Sequence, residues 1–387
     1  MYQIELLPAA HGDALWIEYG DARHPCRVVI DGGPAPTYEL GLRRRIEGLP
    51  ARSRQIDLFV VTHIDADHID GAIILLQEAA ALGVRFGEVW FNAWPQLEAA
   101  GGEVYKPVQG EFLGALLQEI PAVATVWNAR TQGAAVVTSE AGALPRYELP
   151  GDARLTLLSP GPKQLKRLRS RWSAAIREFS PGDRTEALKR LAARREYRPP
   201  EAHPVFGERG YGDDRSVANG SSIAFVLEYD GVSCLFGGDA HPRVLAESLR
   251  RLTGSGPLRL DAVKLPHHGS LSNVSEEFVA AVDCRRWLVS TNGASFGHPD
   301  RETAELIAKH SSEPPEFLCN YRSPTTEALA DRSAQPRWLT CYPSEGVPPG
   351  PVGGFAIELS GRPAERAGAR SAARRGAAAR RGRAGPK

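Results

Sequence analysis

Between Thr62 and Gly71 the chain reads THIDADHIDG, which puts His63, Asp65, Asp67, His68 and Asp70 within eight residues. Crowded carboxylates repel unless a proton, a salt-bridge partner or a metal ion lies among them. Imidazole nitrogen and carboxylate oxygen are the ligands of zinc, manganese and iron. His63 and Asp65 are two residues apart, as are Asp65 and Asp67, so in an extended loop they share a face. His68, next to Asp67, points elsewhere. One short loop can therefore serve two neighbouring metals, with a carboxylate from another strand as the bridge. A calcium loop is excluded, because Ile69 and Asp70 stand where that pattern needs an oxygen ligand and a glycine.

Three further stretches carry the same residue types: LFGGDAHP with Asp239 and His241, VKLPHHGS with Lys264, His267, His268 and Ser270, and STNGASFGHP with Asn292 and His298. Each ends an apolar run or lies just past one. In layered α/β proteins, ligands gather where loops leave the carboxyl ends of strands. A single Asp cluster is usually a turn or a helix cap, and a single His is usually hydrogen-bonded core. Four such stretches in order disfavour that bland reading, and Asp239 is the natural bridge. For His11, Asp13 and His241 a structural role is preferred: Asp13 holding a turn, His241 capping the helix after it. Asp70 is expected to cap a helix starting near Gly71, or to brace the site from behind.

The elements that must position these loops are short. YQIELL, ALWIEYG and CRVVIDGG alternate like strands, and QIDLFVVTH reads as a buried strand. A helix is expected over residues 69–82, ended by Gly83. Strands and helices then recur from SSIAFVLEYD to a last strand in GGFAIELS. Residues 161–212 differ: they are charged, helical and basic, and read as an insertion that is either a solvated face or a rim over a site. From Gly361 the chain holds eight arginines and one lysine against one glutamate, without large apolar residues. This 361–387 tail is expected to be disordered. The whole chain of 387 residues carries a formal charge of +1, so without its tail the body is at about −7. Five scattered cysteines without a C-x-x-C pair suggest a reduced, cytoplasmic setting. No apolar run is long enough to span a membrane, so a membrane partner is not expected.

Taken together, THIDADHIDG, GGDA, LPHHGS and GHP resemble the H-x-[HD]-x-D-H signature set of the metallo-β-lactamase superfamily. The Asp65 variant is similar to the hydrolase domain of ComEC-like competence proteins, here without a membrane channel. The opening HGDALWIEYG…VVIDGG resembles the same group, and the likeness covers roughly residues 1–360. It implies an α/β fold: a four-layer αββα sandwich of two mixed sheets, interrupted by the helical insertion. It implies two divalent metal ions, zinc or manganese ahead of magnesium. His63 and Asp65 would hold the first, Asp67, His68 and His298 the second, and Asp239 would bridge. The first site departs from the common pattern: Asp65 replaces a histidine, and a third histidine is missing where Asn219, Ser221 and Ser222 stand. His267 or His268 would supply the missing nitrogen or meet the substrate, with His268 expected nearer the metals.

The activity implied is metal-assisted hydrolysis, in which Asp67 binds metal and steers the attacking water. Lys264, His267, Ser270 and Asn292 are candidates to stabilise transition-state charge, with Asn219 as a further substrate contact. A phosphodiester of DNA or RNA is the favoured substrate, since a basic insertion and an arginine tail suit phosphates without sequence preference. Protein partners are a further expectation. The competing readings are a hydrolase of a small molecule (a cyclic nucleotide, lactone, lactam or thioester) and a non-catalytic scaffold binding nucleic acid or a protein.

Overall fold

A computed structural model describes residues 1–98, 108–175, 180–197, 216–331, 337–342 and 354–359. The 361–387 tail and the end of the basic insertion lie outside the described residues.

Two mixed sheets form the frame. The first has six strands: β1 (Tyr2–Leu6), β2 (Leu15–Asp21), β3 (His24–Ile30), β4 (Leu58–Val60), β5 (Val89–Trp90) and, at its far edge, Phe355–Glu358, numbered β14 in chain order. Its order is β14-β1-β2-β3-β4-β5. The second has eight: β6 (Arg146–Glu148), β7 (Arg154–Ser159), β8 (Ala224–Tyr229), β9 (Val232–Phe236), β10 (Ala262–Lys264), β11 (Arg286–Val289), β12 (Glu316–Cys319) and β13 (Leu339–Cys341). They lie in the order β13-β12-β11-β10-β9-β8-β7-β6. Each sheet joins an antiparallel meander to a parallel half. The switch comes at the β3/β4 pair in one sheet and the β9/β10 pair in the other. Parallel neighbours need crossover connections, which here are helices such as α1 (Ala66–Leu82) and α5 (Pro242–Thr253).

Strand side chains alternate between faces, and both faces are apolar. Leu15 and Ile17 of β2, Leu58 and Val60 of β4, Phe225 and Leu227 of β8, and Leu288 of β11 form one core between the sheets. Trp16, Val29 and Phe59 point the other way, against Ile69, Ile73 and Leu76 of α1. Leu235, Val263 and Trp287 pack on the outer side of the second sheet with Leu245 and Leu249 of α5 and Ile307 of α6 (Arg301–His310). Three apolar layers separated by two sheets make a four-layer αββα sandwich, as the sequence implies.

The described part of the insertion is helical: α3 (Pro162–Ala175) and α4 (Arg184–Ala193). It is docked rather than loose. Trp172 is fully buried and its indole N–H donates to Glu111 Oε1 at 2.5 Å. Glu111 belongs to α2 (Val108–Glu119). Farther on, the Tyr197 hydroxyl donates to Asp70 Oδ1 at 2.9 Å. Among the described residues no helix is long and apolar enough to cross a membrane.

Candidate metal centre

The THIDADH segment leaves β4 and turns into α1, which starts at Ala66, three residues earlier than the apolar periodicity indicates. Asp65 sits at the N-cap position, and Asp67 and His68 lie in the first turn of the helix. The extended-loop picture is therefore corrected: Asp67 and His68, expected to point apart, share the first helical turn, and their ligand atoms come together, with His68 Nε2 3.8 Å from Asp67 Oδ2. Asp70 lies inside the helix rather than at its start, so it does not cap it. Its carboxyl receives the Tyr197 hydroxyl, and burial pushes its pKa up to about 7.

The helix start lies hard against the loop after β3. A Cβ on Gly71 would meet the Gly32 carbonyl oxygen at 2.0 Å, and one on Gly32 would meet the Ala72 nitrogen at 2.2 Å. Only glycine fits at either place. That approach carries Asp31 to the back of the site. Asp31 accepts from Thr62 N at 2.7 Å and from Thr62 Oγ1 at 2.7 Å, and pairs with His68 Nδ1 at 2.8 Å.

These contacts set the histidine tautomers. Thr62 gives its hydroxyl proton to Asp31, so its oxygen accepts from His63 Nδ1 at 3.0 Å. His68 Nδ1 donates to Asp31, and His268 Nδ1 donates to the Ser290 carbonyl at 2.9 Å. Asn273 Nδ2 donates to the Asp239 carbonyl at 3.0 Å, which leaves its Oδ1 to accept from His267 Nδ1 at 2.7 Å. In the neutral form each ring thus carries its lone pair on Nε2, the tautomer a metal ligand needs.

The Nε2 atoms converge on Asp239. His63 lies 3.8 Å from Asp239 Oδ2 and 3.6 Å from Asp65 Oδ2. His68 lies 3.5 Å from Asp239 Oδ1 and 3.8 Å from Asp67 Oδ2. His268 lies 3.5 Å from Asp67 Oδ2, and His267 lies 3.7 Å from Asp239 Oδ2. The ligand atoms of His63, His68 and Asp239 fall within 4.8 Å of one another, as do those of Asp67, His68 and His268. A third grouping, Asp13, Asp31 and His68, is already tied into hydrogen bonds and ion pairs within the protein.

Among the described residues, Nε2 of His63, His68 and His268, together with Asp239 Oδ1, is buried without a hydrogen-bond partner. Leaving four polar atoms so costs on the order of 1–3 kcal/mol each. Divalent ions would satisfy all four, so the residues fit a dinuclear centre: His63, Asp65 and Asp239 Oδ2 on one side, Asp67, His68, His268 and Asp239 Oδ1 on the other. The titration behaviour agrees. Burial opposes ionisation throughout, yet Asp239 is held well below the usual carboxylate range by His68 and His267. Burial would lower His68, but Asp239 and Asp67 carry it well above the ordinary imidazole value. His268, likewise buried, is pushed up to about 9 by Asp13 and Asp67. The carboxylates draw positive charge into the pocket, as protons when no metal supplies it.

Other sequence-derived candidates lie elsewhere. His298, expected on the second metal, joins none of these groups among the described residues. Its Nδ1 sits 3.3 Å from Asp300 Oδ1 and its ring lies 5.3 Å from that of His267, at the rim. His268 takes the place expected for it. Lys264 is not a substrate contact: its ammonium is buried, ion-paired to Asp13 at 2.8 Å and donating to the Leu265 carbonyl at 2.9 Å. Asp13, expected to hold a turn, thereby braces His268 at 3.4 Å with its charge balanced by Lys264. Ser270 Oγ accepts from Ser272 N, and Asn292 Oδ1 accepts from Ala294 N, each within its own turn. Asn219 is buried in the short helix Val217–Gly220, near Ser216 Oγ. His241 occupies the N-cap position of α5, but its Nε2 bonds the Ser216 carbonyl at 2.8 Å and the cap is not made by its side chain.

His267 and His268 have φ of 45° and 55°. This left-handed backbone costs roughly 1–2 kcal/mol per residue. It sends His268 inward and leaves the His267 side chain 19% exposed at the mouth. Asp31, Thr62 and Asn273 were missed as site residues. Asp31 carried a usable signal, since VVIDGG ends a strand like the other site loops. Thr62 and Asn273 are ordinary polar residues and carried none.

No protein-family model matches the chain. It is similar to ComE operon protein 3 of Bacillus subtilis (strain 168), 21% identical over 323 residues that make up 80% of this chain and 31% of that protein. The chain thus spans about a third of the length of that curated relative. Among solved structures it is similar to the metallo-beta-lactamase fold protein YhfI from Bacillus subtilis at 12% identity, over 92% of this chain and 99% of that one, with a TM-score of 0.40. It is also similar to Zn(2+)-bound PqqB from Methylobacterium extorquens at 13% identity, over 93% and 100%, with a TM-score of 0.38. The paired mixed sheets and outer helices are the four-layer arrangement of the metallo-β-lactamase fold.

Proposed function

We propose that this protein is a metal-dependent phosphodiesterase acting on nucleic acid. The observation that carries the metallohydrolase reading is the set of buried, unpartnered Nε2 atoms around Asp239. Two divalent ions so held would acidify a water and neutralise the charge on a phosphodiester oxygen. The chain's own residues fix the rest. Asp67 faces the inner pair of histidines and orients what sits between them, Asp239 divides its oxygens between the two sides, and Asp31 and Asp13 keep His68 and His268 in register. The mix of imidazole and carboxylate favours zinc or manganese over magnesium, and manganese gains from the oxygen-rich side holding Asp65.

The nucleic-acid part is supported by the insertion. Lys163, Lys166 and Arg167 are exposed on α3 at i, i+3 and i+4, without an ion-pair partner among the described residues. Such a stripe suits a phosphate backbone. The arginine-rich tail would add sequence-independent affinity, and a reduced, cytoplasmic setting remains part of this reading.

The test is a panel of single-stranded DNA, duplex DNA, RNA and bis-para-nitrophenyl phosphate with manganese, zinc or magnesium, each beside Asp67→Ala. Cleavage by the wild type and its loss in the variant are expected. A wild type inert on every diester, or a variant equally active, overturns the proposal; hydrolysis of a lactone or thioester alone moves it to a small-molecule hydrolase. Charge reversal of Lys163, Lys166 and Arg167 should raise KM for nucleic acid and spare bis-para-nitrophenyl phosphate.

A further inference from the structure

Just outside the metal centre stands an aromatic ring that the hydrolytic chemistry does not use. Phe296 is 38% exposed, in a protein whose other phenylalanines lie mostly in the core. It is carried on the turn after β11, and that turn is closed by Gly297 N donating to the Gly293 carbonyl at 3.0 Å. Three imidazoles hold the ring from the protein side. His298 stacks on it at 6.2 Å between centroids with 20° between planes, while His11 and His267 meet it edge-on at 5.9 and 6.1 Å. His267 is the imidazole whose Nε2 lies 3.7 Å from the bridging carboxylate. The exposed ring is therefore one side chain away from the reacting position.

An exposed apolar ring costs solvation unless something covers it, and the neighbouring imidazoles stop it from folding inward. A flat aromatic group is the natural cover, since offset stacking adds to the area buried. We infer that Phe296 is a stacking platform for the nucleobase next to the scissile phosphodiester. This rests on the phosphodiesterase reading and adds a selection rule to it. A base in a duplex has both faces covered by its neighbours, whereas an unpaired base offers a free face. Stacking on a phenyl ring reads no hydrogen-bond pattern, so the platform tolerates any base and favours single strands and frayed ends. His298, which looks like a metal ligand in the sequence, and His11 then serve to set the angle of the ring.

The experiment compares wild type, Phe296→Ala and Phe296→Trp on a single-stranded decathymidylate and on a strand of equal length with abasic residues. Binding is read by fluorescence anisotropy, and cleavage by KM and kcat. Phe296→Ala should weaken binding and raise KM for decathymidylate about tenfold, with kcat little changed. It should leave the abasic strand unaffected, and Phe296→Trp should restore wild-type affinity. Equal loss on both strands, or no loss on either, overturns the inference. If the wild type cleaves diesters while Phe296→Ala binds and cleaves decathymidylate as the wild type does, the platform fails and the phosphodiesterase reading stands. Base-dependent binding that Phe296→Ala abolishes, in a wild type that cleaves no diester, keeps the platform and sinks the activity.

Discussion

The two sides of Asp239 are built to different standards. On the inner side His68 and His268 are fully buried, and each Nδ1 is fixed by an acceptor, Asp31 for one and the Ser290 carbonyl for the other. On the outer side His63 is buried, but its companion Asp65 is 43% exposed at the mouth of the helix. Nitrogen ligands held by rigid partners bind a borderline metal tightly, whereas a solvated carboxylate binds loosely and exchanges. An ion on the inner side would thus be the anchored one, and an ion on the outer side the one more open to solvent. The difference shows how one short sequence can serve two unequal sides: His63 and Asp65, before the helix, face one side of Asp239, while Asp67 and His68, in its first turn, face the other.

The most severe test is Asp239→Ala. It removes a ligand from both sides, so mass spectrometry should find both metals lost and activity down by about 10³-fold or more. Retention of either metal at full stoichiometry would show that the sides do not share this carboxylate. Next, Asp65→Ala should empty the outer side alone: one metal per chain instead of two, with activity reduced by roughly a hundredfold. Loss of both ions would reverse the assignment of anchored and open sides. Asp31→Asn touches no metal directly, yet it loosens His68 and, through Thr62, His63. Calorimetric titration should show affinity weakened roughly 10–100-fold on both sides. An effect confined to one side would break the relay through Thr62.

The mildest effect concerns pH in the metal-free protein. Asp70 keeps its proton to about pH 7 in the folded chain because it is buried, against 3.8 as its ordinary value. Its contribution to stability is therefore full below about pH 4 and is lost as pH rises through about 7. The change is at most roughly 4 kcal/mol. Asp70→Asn should flatten the melting temperature between pH 4 and 7; an unchanged slope would place that titration elsewhere.

Much of this was legible in the residues themselves. Apolar strands ending in Asp and His pointed to loops that converge, and His63, Asp65, Asp67, His68 and Asp239 do converge. What escaped was whatever depends on direction. Lys264 sits in a strand-end motif beside His267, but its side chain enters the core to meet Asp13, and only the fold decides that. His268, expected nearer the metals than His267, does lie deeper, and it reaches Asp67 where His298 does not, because the left-handed turn at His267 and His268 drives one ring inward, a backbone choice unusual for histidine. Asp70 fell inside the helix because helix starts are set by the packing of Gly71 on Gly32 as much as by periodicity.

Asp31 reaches His68 directly and His63 by way of Thr62, and Asp239 gives one oxygen to each side. The two positions are therefore linked thermodynamically before any ion arrives. Ordering one histidine orders part of the other's support, and the coupling is reciprocal. An ion on the anchored inner side should then tighten binding on the outer side, which would still fill second. A titration resolving two independent steps of equal enthalpy would show instead that the shared aspartates transmit nothing. Such coupling would steepen the protein's response to metal supply.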